Sequence, residues 1–509
     1  MARFLFFSPL WLIRLLNEAP PALLDFPPPR LRITQRLMPP MLIARSAVLL
    51  FMTLVPVSVV WSTTLQGHDF ARVAQVLLSV ICAGATALWF ARRNNQPSAP
   101  LMFAATAFVA LALTSVLASP DVVMAGRELA LLLGLAGVAA VVASARNDEG
   151  VDKVLTAGVS VAAALYSALV LMFLFINLAH SAPLERFGVF VGYDNYRFFN
   201  HVQTAMLPLL GIATLQTFRR GALGGLAWFG LVTGFSLLAF SAGRGTVLGL
   251  LSGTLLSLLL FRGGAVPVLR HLSIGAVLGL ALYLGLFVGL PSLMGDSSVD
   301  TVALGGFAGL ERDNSRLYLW KLALAETGKA PWLGIGPMHY ANEVNGKAAH
   351  PHNVYLQIAA EWGLPMLFVL LIASGWGLWR LTRAIRACSD PMQRSVGIGL
   401  FVAAVAIAVD AVFSGNFVMP VSQVWIAFVI GWAMSWTRGQ RPLIAQAALP
   451  STRRWIALGF AVALFASQIW LCASVWPELR RLDEHLKHVN RDLSHGDKHR
   501  PRFWSDGWF

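Results

Sequence analysis

Residues 222–261 read ALGGLAWFGLVTGFSLLAFSAGRGTVLGLLSGTLLSLLLF, and Arg244 is the only charged residue among them. The turn Ser241–Thr246 separates two apolar segments. Each segment approaches the ~20 residues that a helix needs to cross the hydrocarbon core of a bilayer. We therefore predict two membrane spans joined by a tight turn, at 222–241 and 245–261.

The whole chain has the composition of a membrane protein. Of its 509 residues, 57% are hydrophobic and 13% are charged, whereas a soluble domain carries about 25% charged residues. The mean hydropathy is +0.65. We predict an all-α, polytopic integral membrane protein with about 12–13 transmembrane helices and a large loop that carries short helices. The predicted spans are 41–61, 73–91, 101–118, 127–145, 154–178, 202–217, 222–241, 245–261, 272–291, 353–379, 395–414, 421–437 and 455–475.

The net charge of +14 indicates an orientation in the membrane and not a nucleic-acid partner. Lys and Arg cluster in short loops between alternate spans, as the positive-inside rule expects of cytoplasmic loops. They form no basic stripe interleaved with aromatic residues on a soluble module. The N-terminus is therefore predicted inside. The two long loops, 179–201 and 291–352, face outside.

This orientation divides the chain into five predicted regions. In the large loop we expect a short amphipathic helix from Asn314 to Gly328, with Leu317, Trp320 and Leu324 on one stripe. In the charged tail we expect a surface helix and a disordered end. The regions are a cytoplasmic or interfacial segment (1–40), an N-terminal transmembrane bundle (41–291), a large catalytic loop (292–352), C-terminal transmembrane helices (353–475) and a charged tail (476–509).

His352 is the candidate general base, because a neutral imidazole near pH 7 is suited to take a proton from a hydroxyl group. A structural histidine at a helix N-terminus is the alternative. Glu361 lies in the next helix, where it either orients the base or packs as a buried partner. His350 precedes Pro351, and extended chain there is expected to point its side chain away from His352.

Arg244 and Arg316 are the candidate ligands for a phosphate-bearing substrate. The guanidinium group is a planar fork suited to bidentate phosphate binding. A charged residue at the depth of Arg244 is costly and by default functional. The glycines beside it let a phosphate approach the backbone. The alternatives are an arginine that extends to the lipid headgroups for Arg244, and a surface ion pair for Arg316.

A second group of polar residues is predicted to support this site. The 179–201 loop contributes Arg186, Arg197, Asn200 and His201, of which the last three are close to the predicted start of a span. Asn353 follows His352 directly. Asp410 is an acid near the outer end of another predicted span, where it is expected to pair with an arginine or line a cavity.

The sequence lacks the patterns that mark cofactor chemistry. No Asp-x-Asp pair or His/Asp/Glu cluster has metal-ligand spacing, and no Gly-rich nucleotide loop is present. The three cysteines, Cys82, Cys388 and Cys472, are too far apart in sequence to suggest a disulfide framework or a metal site. We expect no cofactor and no metal, so a transferase of this kind would use an already activated donor that arrives through the membrane.

The pair His352-Asn353, followed after nine residues by Gly363, resembles the motif of the O-antigen ligase and polymerase superfamily. The motif ends three residues further on with Gly, Thr or Tyr, where this chain has Met366. The similar stretch runs from about Phe235 to Met366. Two other features carry the resemblance, the loop residues Ser315-Arg316 and Gly334-Ile335-Gly336, and the arginine turn at 241–245.

The resemblance implies a membrane glycosyltransferase. Proteins of that superfamily move a glycan from an undecaprenyl diphosphate carrier to an acceptor at the periplasmic face of the bacterial inner membrane, by metal-independent, inverting chemistry. It implies that Arg244 and Arg316 bind the diphosphate and that His352 deprotonates the acceptor hydroxyl. An O-antigen ligase with a lipid A-core acceptor is favoured. The alternatives are a repeat-unit polymerase, a protein O-oligosaccharyltransferase and, from another class, a transporter.

The predicted orientation places His352, Arg316 and Arg244 on the outer face of the membrane. Single cysteines introduced beside each of them, in a variant without the native cysteines, should react with a membrane-impermeant thiol reagent in intact cells with a permeabilised outer membrane. Reaction only after lysis would contradict the orientation.

Overall fold

Helices make up most of the chain that the structure describes. The computed structural model describes residues 39–62, 65, 67–92, 99–144, 149–180, 186–217, 221–293, 314–343, 345–440, 451–480 and 501–505, and no strand occurs within these ranges. The α-helices of nine or more residues are α1 (Pro39–Leu54), α2 (Gly67–Arg92), α3 (Ala99–Leu117), α4 (Val122–Ala143), α5 (Glu149–Ala179), α6 (Tyr196–Thr217), α7 (Gly221–Ser241), α8 (Arg244–Phe261), α9 (Val266–Tyr283), α10 (Asn314–Lys329), α11 (Val354–Trp362), α12 (Leu364–Ala387), α13 (Pro391–Asp410), α14 (Pro420–Gly439) and α15 (Ser451–Arg480).

The polytopic membrane fold is confirmed. Each predicted span coincides with a helical segment, and nine helical stretches of the described chain are long and apolar enough to cross a membrane. One of these stretches, Arg244–Leu293, contains both α8 and α9. The predicted N-terminal segment 1–40 lies outside the described residues except for its last two positions.

One predicted span, 353–379, is in fact two helices. The helix is interrupted at Gly363, between α11 and α12, where the backbone φ is +85°. A Cβ there would lie 2.3 Å from the Trp332 carbonyl oxygen, and one on Gly334 (φ +72°) would lie 2.3 Å from that of Glu361. Only glycine permits this approach of the two backbones. Three backbone hydrogen bonds join them: Ile335 N to Ala360 O (2.8 Å), Gly336 N to Glu361 O (3.1 Å) and Leu364 N to Pro331 O (2.8 Å).

The loop helix α10 forms where the sequence predicts it, but its buried face differs from the predicted stripe. Leu317 and Leu324 are exposed, whereas Leu319 and Ala323 are buried. The buried pair packs in an apolar cluster with Tyr340. The buried face of α10 is therefore rotated away from the predicted stripe. Its contacts with the later part of the loop, such as Tyr340, determine which face is buried.

The prediction of a disordered surface end is wrong for residues 501–505. Arg502, Phe503 and Trp504 are buried, with 1–3% of their surface exposed. α15 continues to Arg480. The intervening residues 481–500 lie outside the described ranges.

Helix packing brings the ends of α6, α8, α11 and α13 close together, and α10 packs beside them. α13 packs against both α6 and α8, and α10 packs against α11. The end of α13 meets the start of α11 through a hydrogen bond from Val354 N to Ala411 O (2.9 Å). Side chains at these ends are therefore neighbours although they are far apart in sequence.

Replacing Gly363 by alanine should destabilise the protein by roughly 2–3 kcal/mol, because the left-handed backbone and the Trp332 carbonyl both oppose a Cβ. Thermal unfolding in detergent measures the effect. Gly375→Ala in α12 is the matched control, since nothing lies within 4 Å of the added carbon and alanine favours a helix. Equal unfolding temperatures for the two variants would contradict this explanation of the break.

Candidate functional site

His352 and Asn353 form the N-terminal boundary of α11. Asn353 is its N-cap, and its Oδ1 accepts hydrogen bonds from the backbone N–H groups of Tyr355 and Leu356, both at 3.0 Å. His352 precedes the cap in the left-handed region, with φ of +52°. This conformation is strained for a residue other than glycine, and such residues concentrate at functional sites.

The spacing of the motif now has a structural explanation. The nine residues between Asn353 and Gly363 are the whole of α11. Asn353 caps the N-terminus of the helix and Gly363 ends it. The motif therefore specifies a short capped helix with His352 directly before its N-cap. Met366 is buried against Trp362 and Val116 in a separate apolar cluster.

His350 contacts His352, contrary to the expectation that its side chain points elsewhere. The two rings lie 4.2 Å apart, edge to face. His350 Nδ1 accepts a hydrogen bond from His352 N at 3.2 Å. Burial lowers the pKa of His350 well below its usual value, and the charge of His352 lowers it further. A neutral His350 ring can accept that bond. The bend at Pro351 brings the two rings together.

The histidine pair is fixed by close packing against Gly415 and by hydrogen bonds from α10 and to α13. A Cβ on Gly415 would lie 2.5 Å from His350 Cε1, so only glycine leaves room for the buried ring. Trp320 on α10 donates from Nε1 to the Pro351 carbonyl (3.1 Å). Tyr355 donates from its hydroxyl to Ala408 O on α13 (2.8 Å).

Asp410, at the end of α13, is the centre of a buried polar network. Its Oδ2 accepts hydrogen bonds from Thr204 Oγ1 (3.2 Å), Ser414 Oγ (3.0 Å) and Asn416 Nδ2 (3.3 Å). The same oxygen lies 3.9 Å from Nδ1 of His201, which is also buried. The carboxylate is thus surrounded by donors on α6 and on the turn that follows α13.

The arginine turn rests on this network. Ser241 Oγ donates to Asn200 Oδ1 (2.7 Å), and Thr246 Oγ1 donates to Asn200 O (2.9 Å). A Cβ on Gly245 would lie 2.5 Å from Asp410 Oδ1. Arg244 is therefore anchored beside Asp410 as the first residue of α8.

The Arg244 side chain is available to a ligand. It is exposed, and it makes no hydrogen bond or ion pair with any residue in the described ranges. It stands at the N-terminus of an 18-residue helix, where unpaired N–H groups and the helix dipole favour an anion.

Arg316 and His352 complete the cluster. Burial lowers the pKa of His201, and the neighbouring His352, Arg197 and Arg316 lower it further. Arg316 is also close enough to Asp410 to stabilise its carboxylate. Side chains from α6, α8, α10, α13 and the mouth of α11 thus share one region. The arrangement combines cationic groups that can hold an anion with an imidazole that can take a proton.

Two predicted supporting residues, Glu361 and Arg197, have no hydrogen bond or ion pair to His352, Arg244 or Arg316 within the described ranges. Glu361 is at the far end of α11 from His352 and pairs with Arg502. Arg197 is exposed, and its guanidinium lies over the Tyr196 ring at 5.7 Å. Arg186 begins a helical turn, Arg186–Val189, but its side chain is outside the described residues.

Several residues of this region carry no recognisable signal in the sequence. Ser414, Asn416 and Gly415 follow α13 in an ordinary polar turn, and only the folded chain shows their contacts with Asp410 and His350. Within the described ranges, no group of three or more His, Cys, Asp or Glu side chains is arranged to hold a metal ion.

Comparison with protein families identifies the segment that carries most of this site. Residues 229–371 match the family model described as O-antigen ligase. The matched segment contains Arg244, Arg316 and His352 but not His201 or Asp410. The match confirms the resemblance to the O-antigen ligase superfamily. A comparison with curated proteins finds no match.

The Asn353 cap should contribute about 1 kcal/mol to stability, the usual value for a side chain that accepts from the first turn of a helix. Asn353→Ala should therefore lower the unfolding temperature in detergent. Asn353→Asp keeps an acceptor oxygen at the same place and should restore most of the loss. If aspartate is as destabilising as alanine, capping is not what this residue does.

Proposed function

Starting from the O-antigen ligase domain at residues 229–371, we propose that the protein is an O-antigen ligase. It transfers a polymeric glycan from undecaprenyl diphosphate to a hydroxyl group of the lipid A core, at the periplasmic face of the bacterial inner membrane. The observation that carries the proposal is the convergence of Arg244, Arg316 and His352 beside the Asp410–His201 pair.

The arginines bind the donor diphosphate in this proposal. Arg244 offers an exposed guanidinium and the adjacent N-terminus of α8, and Arg316 approaches from α10. When the glycosidic bond breaks, negative charge accumulates on the departing diphosphate. Preorganised cations at that position stabilise the transition state more than the ground state.

His352 acts as the general base. It takes the proton from the acceptor hydroxyl while that oxygen forms a bond to the anomeric carbon of the donor sugar. The bond from this carbon to the diphosphate oxygen breaks, and its electron pair leaves with the carrier. Attack from the opposite side inverts the anomeric configuration. The hydrogen bond from His352 N to His350 fixes the base at the mouth of α11.

A repeat-unit polymerase of the same superfamily is the second candidate, because α15 and the charged tail add to the simplest plan of twelve spans. The departure from the motif at Met366 also weakens the ligase branch more than the superfamily. In the structure this side chain packs into an apolar cluster with Val116 and Trp362. A protein O-oligosaccharyltransferase uses similar chemistry. A transporter has less support, because the polar groups gather at helix ends and not at a midplane site.

Arg244→Lys and Arg316→Lys should each reduce glycan transfer at least ~10-fold, while the protein still accumulates in the membrane. Lysine keeps the charge but loses the planar fork that binds phosphate bidentately. Arg262→Lys, at the opposite end of α8 from Arg244, is the control and should leave transfer unchanged. Near-normal transfer by both site variants would contradict the diphosphate clamp.

Lipopolysaccharide gels of a deletion strain distinguish the two candidate functions. Loss of a ligase should leave lipid A core without polymer, with carrier-linked polymer accumulating. Core that carries a single repeat unit would identify a polymerase and overturn the ligase assignment.

A further inference from the structure

The last described residues of the chain are built into the protein interior. Residues 501–505, here termed the C-terminal hook, include Arg502, Phe503 and Trp504, all at least 97% buried. A buried arginine requires partners within the protein. The structure supplies contacts to the hook on α2, α4, α11 and α15.

The Arg502 guanidinium connects the hook to α11. Its Nη2 lies 2.5 Å from Glu361 Oε2 and 3.4 Å from Glu128 Oε1 on α4. The Arg502 and Glu361 side chains are 1% and 0% exposed. Removing one partner of a buried ion pair leaves an uncompensated charge and is strongly unfavourable. Burial by itself raises the pKa of Glu361, and the Arg502 charge opposes that rise.

The remaining residues of the hook attach it to neighbouring helices. The Phe503 carbonyl accepts from Arg72 Nε (3.0 Å) and His68 Nε2 (3.1 Å) on α2. Ser505 donates to Asp69 from its backbone N (2.7 Å) and its hydroxyl (2.9 Å). Trp504 Nε1 donates to Glu478 Oε2 on α15 (2.8 Å). These contacts fix the Arg502 backbone and so aim its side chain at Glu361.

The hook contacts the helix that carries His352 at one end. Arg502 pairs with Glu361 in the last turn of α11. His352 lies directly before Asn353, the N-cap of the same nine-residue helix. A contact that holds the last turn of so short a helix therefore bears on the orientation of His352.

We propose that Arg502 is a positioning residue for the transfer reaction, because it holds α11, the helix that follows His352, through Glu361. This inference rests on the proposed function, in which His352 is the base. Arg502 contacts neither donor nor acceptor in this scheme. The hook is then a part of the active-site architecture contributed by the opposite end of the sequence.

Loss of Arg502 should lower the rate of the chemical step more than the affinity for the donor. Glu361 then lacks its buried cationic partner in the last turn of α11. The short helix that begins directly after His352 and Asn353 loses the contact that holds its other end.

Three variants test the proposal in full-length protein reconstituted with donor and acceptor glycolipids. Arg502→Gln should lose roughly 10- to 100-fold in kcat, the scale expected when a reacting group is misplaced by about 1 Å, with the KM for the donor little changed. Arg502→Lys keeps the cation and should recover part of the rate. Arg502→Gln/Glu361→Gln removes both charges, so it should fold and yet keep the lowered kcat, because the ion pair that holds α11 is still absent.

Arg262→Gln, at the opposite end of α8 from Arg244, is the matched control, since it makes the same substitution outside the hook and should leave kcat unchanged. Normal kcat in Arg502→Gln or in the double variant would overturn the inference. So would a loss explained only by a smaller amount of folded protein. In those cases an inactive His352→Ala enzyme leaves the proposed function standing, whereas an active one overturns the function itself.

Discussion

Every polar group that this protein buries between its helices needs a partner within the protein, since hydrocarbon offers none. Two helix ends at the candidate site meet this need. Asp410 is surrounded by donors from α6 and the turn after α13, and Asn353 satisfies the first turn of α11. These arrangements fix the ends of α6, α8, α11 and α13 against one another, and the candidate site lies where those ends meet.

The sequence predicts the parts of the fold that depend on local composition. Apolar segments of membrane-spanning length predict the helices. The few charged or titratable residues in the turns and loops between them include the site candidates Arg244, Arg316 and His352. The break at Gly363 escapes prediction because α11 continues the apolar pattern of α12. Its cause is the approach of the Trp332 carbonyl, 31 residues earlier in the chain. Contacts between distant segments decide such features, and periodicity does not record them.

The C-terminal hook shows the same limit more sharply. It belongs to a charged stretch, 476–509, whose sequence predicts an exposed tail, but its partners are residues 69, 72, 128, 361 and 478. His350 also differs from expectation, since the rule for residues before proline constrains the backbone but not the side-chain contacts. In both cases a charged or polar side chain acquires its role from residues that only the fold brings near it. The family match at residues 229–371 likewise leaves out the hook, Asp410 and His201.

The proposed transfer reaction uses His352 as its base, takes a lipid diphosphate donor and needs no metal. One assay tests these three features together: purified protein is reconstituted in liposomes with carrier-linked glycan, lipid A-core acceptor and excess chelator. We expect the wild type to form the glycan–core product, and His352→Ala to bind donor but lose about 10²–10⁴-fold in rate. A His352→Ala enzyme that works at the wild-type rate, or a wild type that works only after divalent metal is added, would contradict the claim.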